Sequence, residues 1–242
     1  MTDFTNIKAV IFDYGGTLDT NAQHWAHVLW AAYERAGVPV SEEQFREAYV
    51  CGERTLAREP VICPTDTFRD VLLKKVAIEL RDLAARGCLA GNEGRVGEWT
   101  ESVTQLCLDY IGPILDVSRQ VLTQLRERYK LVLVSNFYGN IEAILADFRL
   151  TFFDRVIESA VVGVRKPDPA IYRLGVEATG CSPADVLIVG DSYDKDIVPA
   201  GRVGCRTVWL KGKGWGDEAV DESLPDAVIT SLPQLLDLLP QA

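Results

Sequence analysis

Four short apolar runs punctuate the chain, at residues 9–12, 131–134, 186–189 and 207–210, and each gives way to polar or glycine residues. The first ends at Asp13 and then Gly15-Gly16. Continuous apolar runs of this length suit strands covered on both faces, as in a parallel sheet. Helical periodicity fills the intervals: Val117, Val121 and Leu125 precede the second run, and residues 169–178 precede the third. Alternation of strand and helix predicts a parallel α/β sheet.

Residues 20–113 break the alternation, with no strand pattern and several helical ones. A helix is expected over 22–36, and another is opened by the capping box Ser41-Glu42-Glu43-Gln44. A third, over about 66–86, places Phe68, Leu72, Val76, Leu80 and Leu83 on one face and stops at Gly87. A fourth covers 96–110 and is expected to end before Pro113. The predicted organisation is a sheet domain from residues 1–19 and 114–242, with a helical insertion over 20–113. Internal repeats, low-complexity tracts and flexible linkers are not evident.

In open parallel sheets the ligand crevice lies beyond the carboxyl ends of the strands. The residues there are Asp13 in IFDYGGTLDT, Ser135 in LVLVSNF, Lys166 in GVRKPDP, and Asp191 with Asp196 in IVGDSYDKDI. Singly, each reads as a turn or cap residue. Jointly, three carboxylates, a lysine and a hydroxyl are what is needed to hold a divalent cation and an anion such as phosphate. Mg²⁺ takes a few carboxylate oxygens plus water and substrate oxygens, which Asp13 and Asp191 can supply.

Composition narrows the partners. The 242 residues carry a formal charge of −10 without clustered Lys and Arg, which argues against a nucleic-acid surface and for small molecules. Six cysteines, at 51, 63, 88, 107, 181 and 205, form no CxxC pair, so neither a zinc site nor a disulfide framework is suggested. The N-terminal apolar run is too short for a signal peptide and no stretch is long enough to span a bilayer, so no membrane partner and a cytoplasmic location are expected.

With these motifs in order, the chain resembles the haloacid dehalogenase-like hydrolases of the helical-cap type over about residues 8–235. The tail PDAVITSLPQLLDLL resembles the last strand and helix of many relatives. The resemblance implies a two-layered, Rossmann-like α/β core with an inserted helical cap, and hydrolysis of a small phosphorylated metabolite. Asp13 would be the nucleophile forming an aspartyl-phosphate, and Lys166 would neutralise charge on it and on the transferring group. In substrate binding, Ser135 would hydrogen-bond the phosphoryl oxygens, Asn136 would offer a backbone N–H to the anion, and Thr17 would support the turn after the nucleophile through its hydroxyl and backbone. Asp191 would ligate Mg²⁺ with Asp13 and the Gly15 carbonyl, and Asp196 would orient the metal's waters or Lys166.

One position departs from the family pattern. Phosphatase relatives read Asp-x-Asp-Gly-Thr, the second Asp acting as acid and base, whereas this chain reads Asp13-Tyr14-Gly15-Gly16-Thr17. Loss of general acid–base catalysis is worth about 10²–10⁴ in rate, or roughly 3–5 kcal/mol. Four outcomes follow. The leaving group departs unprotonated, as from an acyl phosphate, or a donor such as His24, Asp19 or Tyr14 is borrowed. Alternatively, a cap lysine, Lys74 or Lys75, activates substrate as in phosphonatases, although Lys on an amphipathic helix is ordinarily solvated. The chain is a metal-free dehalogenase, a reading opposed by the Asp191 and Asp196 pair. Or it binds phosphate and Mg²⁺ without turnover. Arg54, Trp25 and Arg58 are conceivable substrate contacts, better explained as cap surface or packing.

Overall fold

The computed structural model describes residues 4–216 and 220–239; the ends of the expected core, 1–3 and 240–242, lie outside the described residues. The chain begins with β1 (Ala9–Phe12), followed by the helices α1 (Trp25–Ala36), α2 (Glu42–Arg58), α3 (Phe68–Ala85) and α4 (Val96–Arg126). Then come β2 (Lys130–Ser135), α5 (Ile141–Asp147), β3 (Arg155–Glu158), α6 (Ser159–Val162), α7 (Pro169–Thr179) and β4 (Val186–Gly190). A π-helical turn at Tyr193–Ile197 leads into α8 (Val198–Val203), and β5 (Arg206–Leu210), β6 (Ala227–Ile229) and α9 (Gln234–Leu238) complete the order.

All strand pairs are parallel, in the order β3-β2-β1-β4-β5-β6. Alternate residues point to opposite faces of the sheet. Val10, Phe12, Leu131, Leu133, Leu187 and Val189 pack with Val121, Leu122 and Leu125 of α4 and Ile141, Ile144 and Leu145 of α5. Ala9, Ile11, Val132, Val134, Val186 and Ile188 pack instead with Ile171 and Val176 of α7 and Ala200 of α8. Helices therefore cover both faces, which corrects the expected two layers to three: the continuous apolar strands leave no face suited to water.

The helical segment follows its sequence signals with two differences. The Ser41–Gln44 capping box forms, and Phe68, Leu72, Val76, Leu80 and Leu83 are all buried. α1 starts at Trp25 rather than Ala22, because Asn21 and Ala22 take left-handed backbone angles (φ 52 and 62) and His24 caps the helix. The helix expected to end before Pro113 instead runs through it and is 31 residues long in all. Ile111 and Leu115, one turn apart across the proline, are both buried, and this packing outweighs the lost backbone bond. Among the described residues no helix is long and apolar enough to cross a membrane.

Close packing of α7 on the sheet supplies a stability test. A Cβ on Gly175 would stand 2.8 Å from Val134 Cγ2 and 3.1 Å from Ile11 Cδ1. Gly→Ala inside a helix ordinarily stabilises, but overpacking costs about 1–3 kcal/mol and dominates here. Gly175→Ala is therefore expected to lower the denaturant midpoint without changing the slope of the transition.

Candidate active site

The sheet topology delivers the site. β1 and β4 are adjacent, so Asp13 and Asp191, each just past its strand, stand side by side, and Ser135 ends the neighbouring β2. Lys166 comes from the loop before α7. Its Nζ lies 2.7 Å from Asp13 Oδ1 and 2.7 Å from Asp196 Oδ1. The Tyr172 hydroxyl donates to the same Asp196 oxygen (2.7 Å), and Ser192 N–H donates to Asp196 Oδ2 (3.0 Å). At the other end of Lys166, Asn136 clamps the backbone: its Nδ2 donates to Lys166 O (3.1 Å) and its Oδ1 accepts from Lys166 N–H (2.9 Å). Both the backbone and the ammonium of Lys166 are thus fixed, which limits reorganisation when charge develops nearby.

Asp13, Asp191 and Asp196 each present an oxygen within 4.8 Å of the others. Burial pushes the Asp13 carboxyl above the ordinary carboxylate range, against the lowering effect of Lys166. Burial, then the charges of Asp13 and Asp196, pushes Asp191 well above it. Burial opposes the charge on Lys166, but the two flanking aspartates outweigh it and raise its pKa. Asp196 is committed to Lys166, Tyr172 and Ser192, so Asp13 and Asp191 are the carboxylates open to a cation. Their mutual repulsion is the setting a divalent ion relieves, and hard oxygen donors fit Mg²⁺.

The turn after β1 is shaped around Asp191. A Cβ on Gly16, whose φ is +94, would overlap the Asp191 carboxylate. Thr17 Oγ1 donates to Asp191 Oδ1 (3.1 Å) and accepts from Asp191 N–H (3.0 Å). Thr17 is thus engaged with the acidic residue and is not among the residues lining the cavity. At Gly15 the situation is opposite: a Cβ would meet nothing within 4 Å, and its φ lies outside the left-handed region.

A cavity of about 1490 Å³ opens over this site, lined on the core side by Asp13, Gly15, Ser135, Asn136, Lys166, Asp191 and Asp196. His24, Trp25, Tyr49, Glu53, Arg58, Phe68 and Lys75 line it from the helical segment. Arg54 does not line it and lies in an adjoining groove with Glu47 and Arg58. Of the possible proton donors, Tyr14 is buried between Phe68 and Phe137 with its hydroxyl unpartnered. Asp19 is buried, accepting from Gly16 N–H and Trp25 Nε1, and burial lifts its pKa to about 7. Neither lines the cavity. His24 does, but its Nδ1 accepts from Ala26 N–H as the helix cap.

Burial, aided by Lys195, lowers the His24 pKa to about 4 from 6.5. The imidazole is neutral at pH 7, so it is a poor acid. The unfolded chain binds this proton more tightly, so its contribution to stability is full above pH 6.5 and is lost as pH falls toward 4. Partial solvent contact limits the loss to about 1–3 kcal/mol. His24→Asn keeps the cap acceptor and removes the titration. Urea unfolding of this variant between pH 7 and 4 is expected to show a shallower pH dependence than wild type.

Lys75 departs from the solvated reading of the two helix lysines. It is 5% exposed and faces the cavity, whereas Lys74 pairs with Asp66 and lies outside it. Tyr172 and Trp209, whose Nε1 donates to Asp191 O (2.8 Å), were not distinguishable as site residues by motif. The one available signal was position: both carry polar-tipped rings on buried faces next to the lysine loop and the end of β5.

The sequence matches the family described as haloacid dehalogenase-like hydrolase over residues 7–204. It is 38% identical over 89 residues to a glyceraldehyde 3-phosphate phosphatase of Pyrococcus furiosus, covering 36% of this chain and 37% of that protein. To haloacid dehalogenase-like hydrolase domain-containing protein 3 of Mus musculus it is 37% identical over 147 residues, 58% of each. The chain thus spans less than two thirds of these relatives. Among solved structures, a HAD-hydrolase of Bacillus subtilis bound to magnesium shares the fold with a TM-score of 0.57 at 17% identity, over 96% of this chain and 98% of that one. An L-2-haloacid dehalogenase aligns with a TM-score of 0.59 at 26% identity over 98% of each chain.

Proposed function

Because this chain belongs to the haloacid dehalogenase-like hydrolases, we propose that it is a magnesium-dependent phosphatase of a small phosphorylated metabolite, with weakened acid–base catalysis. The observation that carries the reading is the Asp13–Lys166–Asp196 network opening, with Asp191, onto one large cavity. Asp13 attacks phosphorus, the bond to the leaving oxygen breaks, and water then cleaves the aspartyl-phosphate. Lys166 balances the charge that builds on the transferring group, and Ser135 and Asn136 hold its oxygens. Asp13, Asp191 and the Gly15 carbonyl would hold magnesium, which would supply electrostatic stabilisation of that charge. Residues 20–113 act as a cap that closes over substrate and excludes water.

Neither His24 nor Glu53, which line the cavity from the cap side, is suited to replace the acid missing at Gly15. His24 is neutral, and Glu53 is bound to Lys75. We therefore assign the substrate a leaving group stable enough to depart as an anion, such as that of an acyl phosphate. The named activity of the Pyrococcus relative supports phosphate chemistry, and the acidic trio favours a metal-dependent reaction over metal-free dehalogenation.

The test is an assay with and without Mg²⁺ on acyl phosphates, alkyl phosphates, a phosphonate and a 2-haloacid. Metal-dependent phosphate release, fastest from the acyl phosphate, is expected. Phosphate binding without release from any substrate supports the binding-protein reading, and chloride release without metal supports a dehalogenase.

A further inference from the structure

The cap end of the cavity holds a charged cluster that the proposed chemistry does not use. Lys75 on α3, its side chain only 7% exposed, is ion-paired with Glu53 Oε1 on α2 and lies 3.7 Å from Glu79 Oε1. Its ammonium stands 4.2 Å from the centre of the Tyr49 ring. The Tyr138 hydroxyl, from the loop after β2, donates to the other Glu53 oxygen (3.3 Å). Glu79 is fully buried behind the lysine, accepts from the Tyr33 hydroxyl (3.0 Å), and does not line the cavity.

A buried ion pair adds little stability over well-packed apolar residues. Such a cluster on the wall of a substrate cavity therefore calls for a functional account. The exposures of the two partners differ sharply: Lys75, at 7%, is buried with Glu79 3.7 Å behind it, whereas Glu53, at 42%, reaches water. Lys75 and Tyr138 grip the two oxygens of the Glu53 carboxylate, one donor each, in the manner of a two-point carboxylate clamp.

We propose that Glu53 is a placeholder, and that the leaving group of the substrate carries a carboxylate that displaces it from Lys75 and Tyr138. Exchange of one carboxylate for another leaves the buried charge unchanged, and Glu53 turns into solvent at small cost. The inference rests on the phosphatase reading, with the phosphoryl group at Asp13 and the carboxylate at the cap end of the same cavity. A substrate amine or hydroxyl bound by Glu53 would demand the opposite behaviour, since Glu53 would then be needed for binding.

The experiment is calorimetric titration, in Mg²⁺, with phosphonates bearing a terminal carboxylate on chains of increasing length, against alkylphosphonates of the same lengths. Wild type is expected to bind the carboxylated ligand about tenfold more tightly at one length, and Lys75→Met to lose that preference. Glu53→Gln is expected to tighten carboxylated ligands several-fold and leave alkylphosphonates unchanged. Because Lys75→Met leaves Glu79 without its cation and can fail to fold, the half-exposed Glu53→Gln decides by itself. Equal affinity for both series at every length, or weaker carboxylate binding by Glu53→Gln, overturns the proposal. Hydrolysis that ignores a carboxylate sinks this inference alone, whereas carboxylate preference without hydrolysis of any phosphate compound sinks the phosphatase reading alone.

Discussion

Gly15→Asp is expected to raise kcat/KM toward alkyl phosphates by about 10²-fold or more, while changing acyl-phosphate hydrolysis little. The size follows from the 10²–10⁴ that a positioned general acid and base contributes, taken at its lower end because the surrounding shell has not been shaped for the new carboxyl. The structure leaves room for it. A Cβ at Gly15 meets nothing within 4 Å, whereas the same change at Gly16 drives into Asp191. Alkoxide leaving groups need a proton in the transition state and gain most; carboxylate leaving groups need none and gain least. A series of phosphates graded in leaving-group pKa makes the point measurable. Wild type should show a steep dependence of rate on leaving-group pKa, and Gly15→Asp a shallow one. Parallel slopes, with no gain on alkyl phosphates, would sink the view that the missing acid limits this enzyme.

What the chain discloses before folding is uneven, for physical reasons. β1 and the three later runs were legible because strands buried on both faces cannot alternate with polar residues, so their apolar character is continuous. β3 was not: Arg155–Glu158 is a four-residue edge strand with charged ends, which looks like a loop until β2 pairs with it. Pro113 misled because its local penalty is visible in the sequence, while the buried contacts of Ile111 and Leu115 that override it are not.

The same division runs through the site. Strand ends reported Asp13, Ser135 and Asp191, since the sheet itself carries them to one edge. The hydrogen bonds that fix Lys166 come from Tyr172 and Asn136, by way of Asp196 and of its own backbone, and pairing across 30 residues leaves no periodic trace. Burial of Lys75 escapes the sequence pattern for a related reason. Its helix has a polar face, but Tyr49 and Glu53 of α2 enclose that face at this position. Burial of a lysine depends on partners from another helix, which pattern along its own helix does not report.

Asp13→Asn is expected to abolish turnover, by at least about 10⁴-fold, on every phosphate substrate. The amide is nearly the same size as the carboxylate but is not a nucleophile, so the aspartyl-phosphate cannot form. Folding should survive, because Lys166 keeps its 2.7 Å ion pair with Asp196 and its backbone clamp from Asn136. Acid-quenched wild type incubated with labelled substrate should yield a phosphoprotein cleaved by hydroxylamine, and the variant none. The two substitutions then test each other. If the acid restored at position 15 serves only the displacement that Asp13 begins, the double variant Asp13→Asn/Gly15→Asp should be as inactive as Asp13→Asn alone, so the gain of about 10² should vanish rather than add. A double variant that keeps the gain would mean that water attacks phosphorus directly, with the carboxyl at position 15 as its base, and Asp13 would then be a metal ligand only.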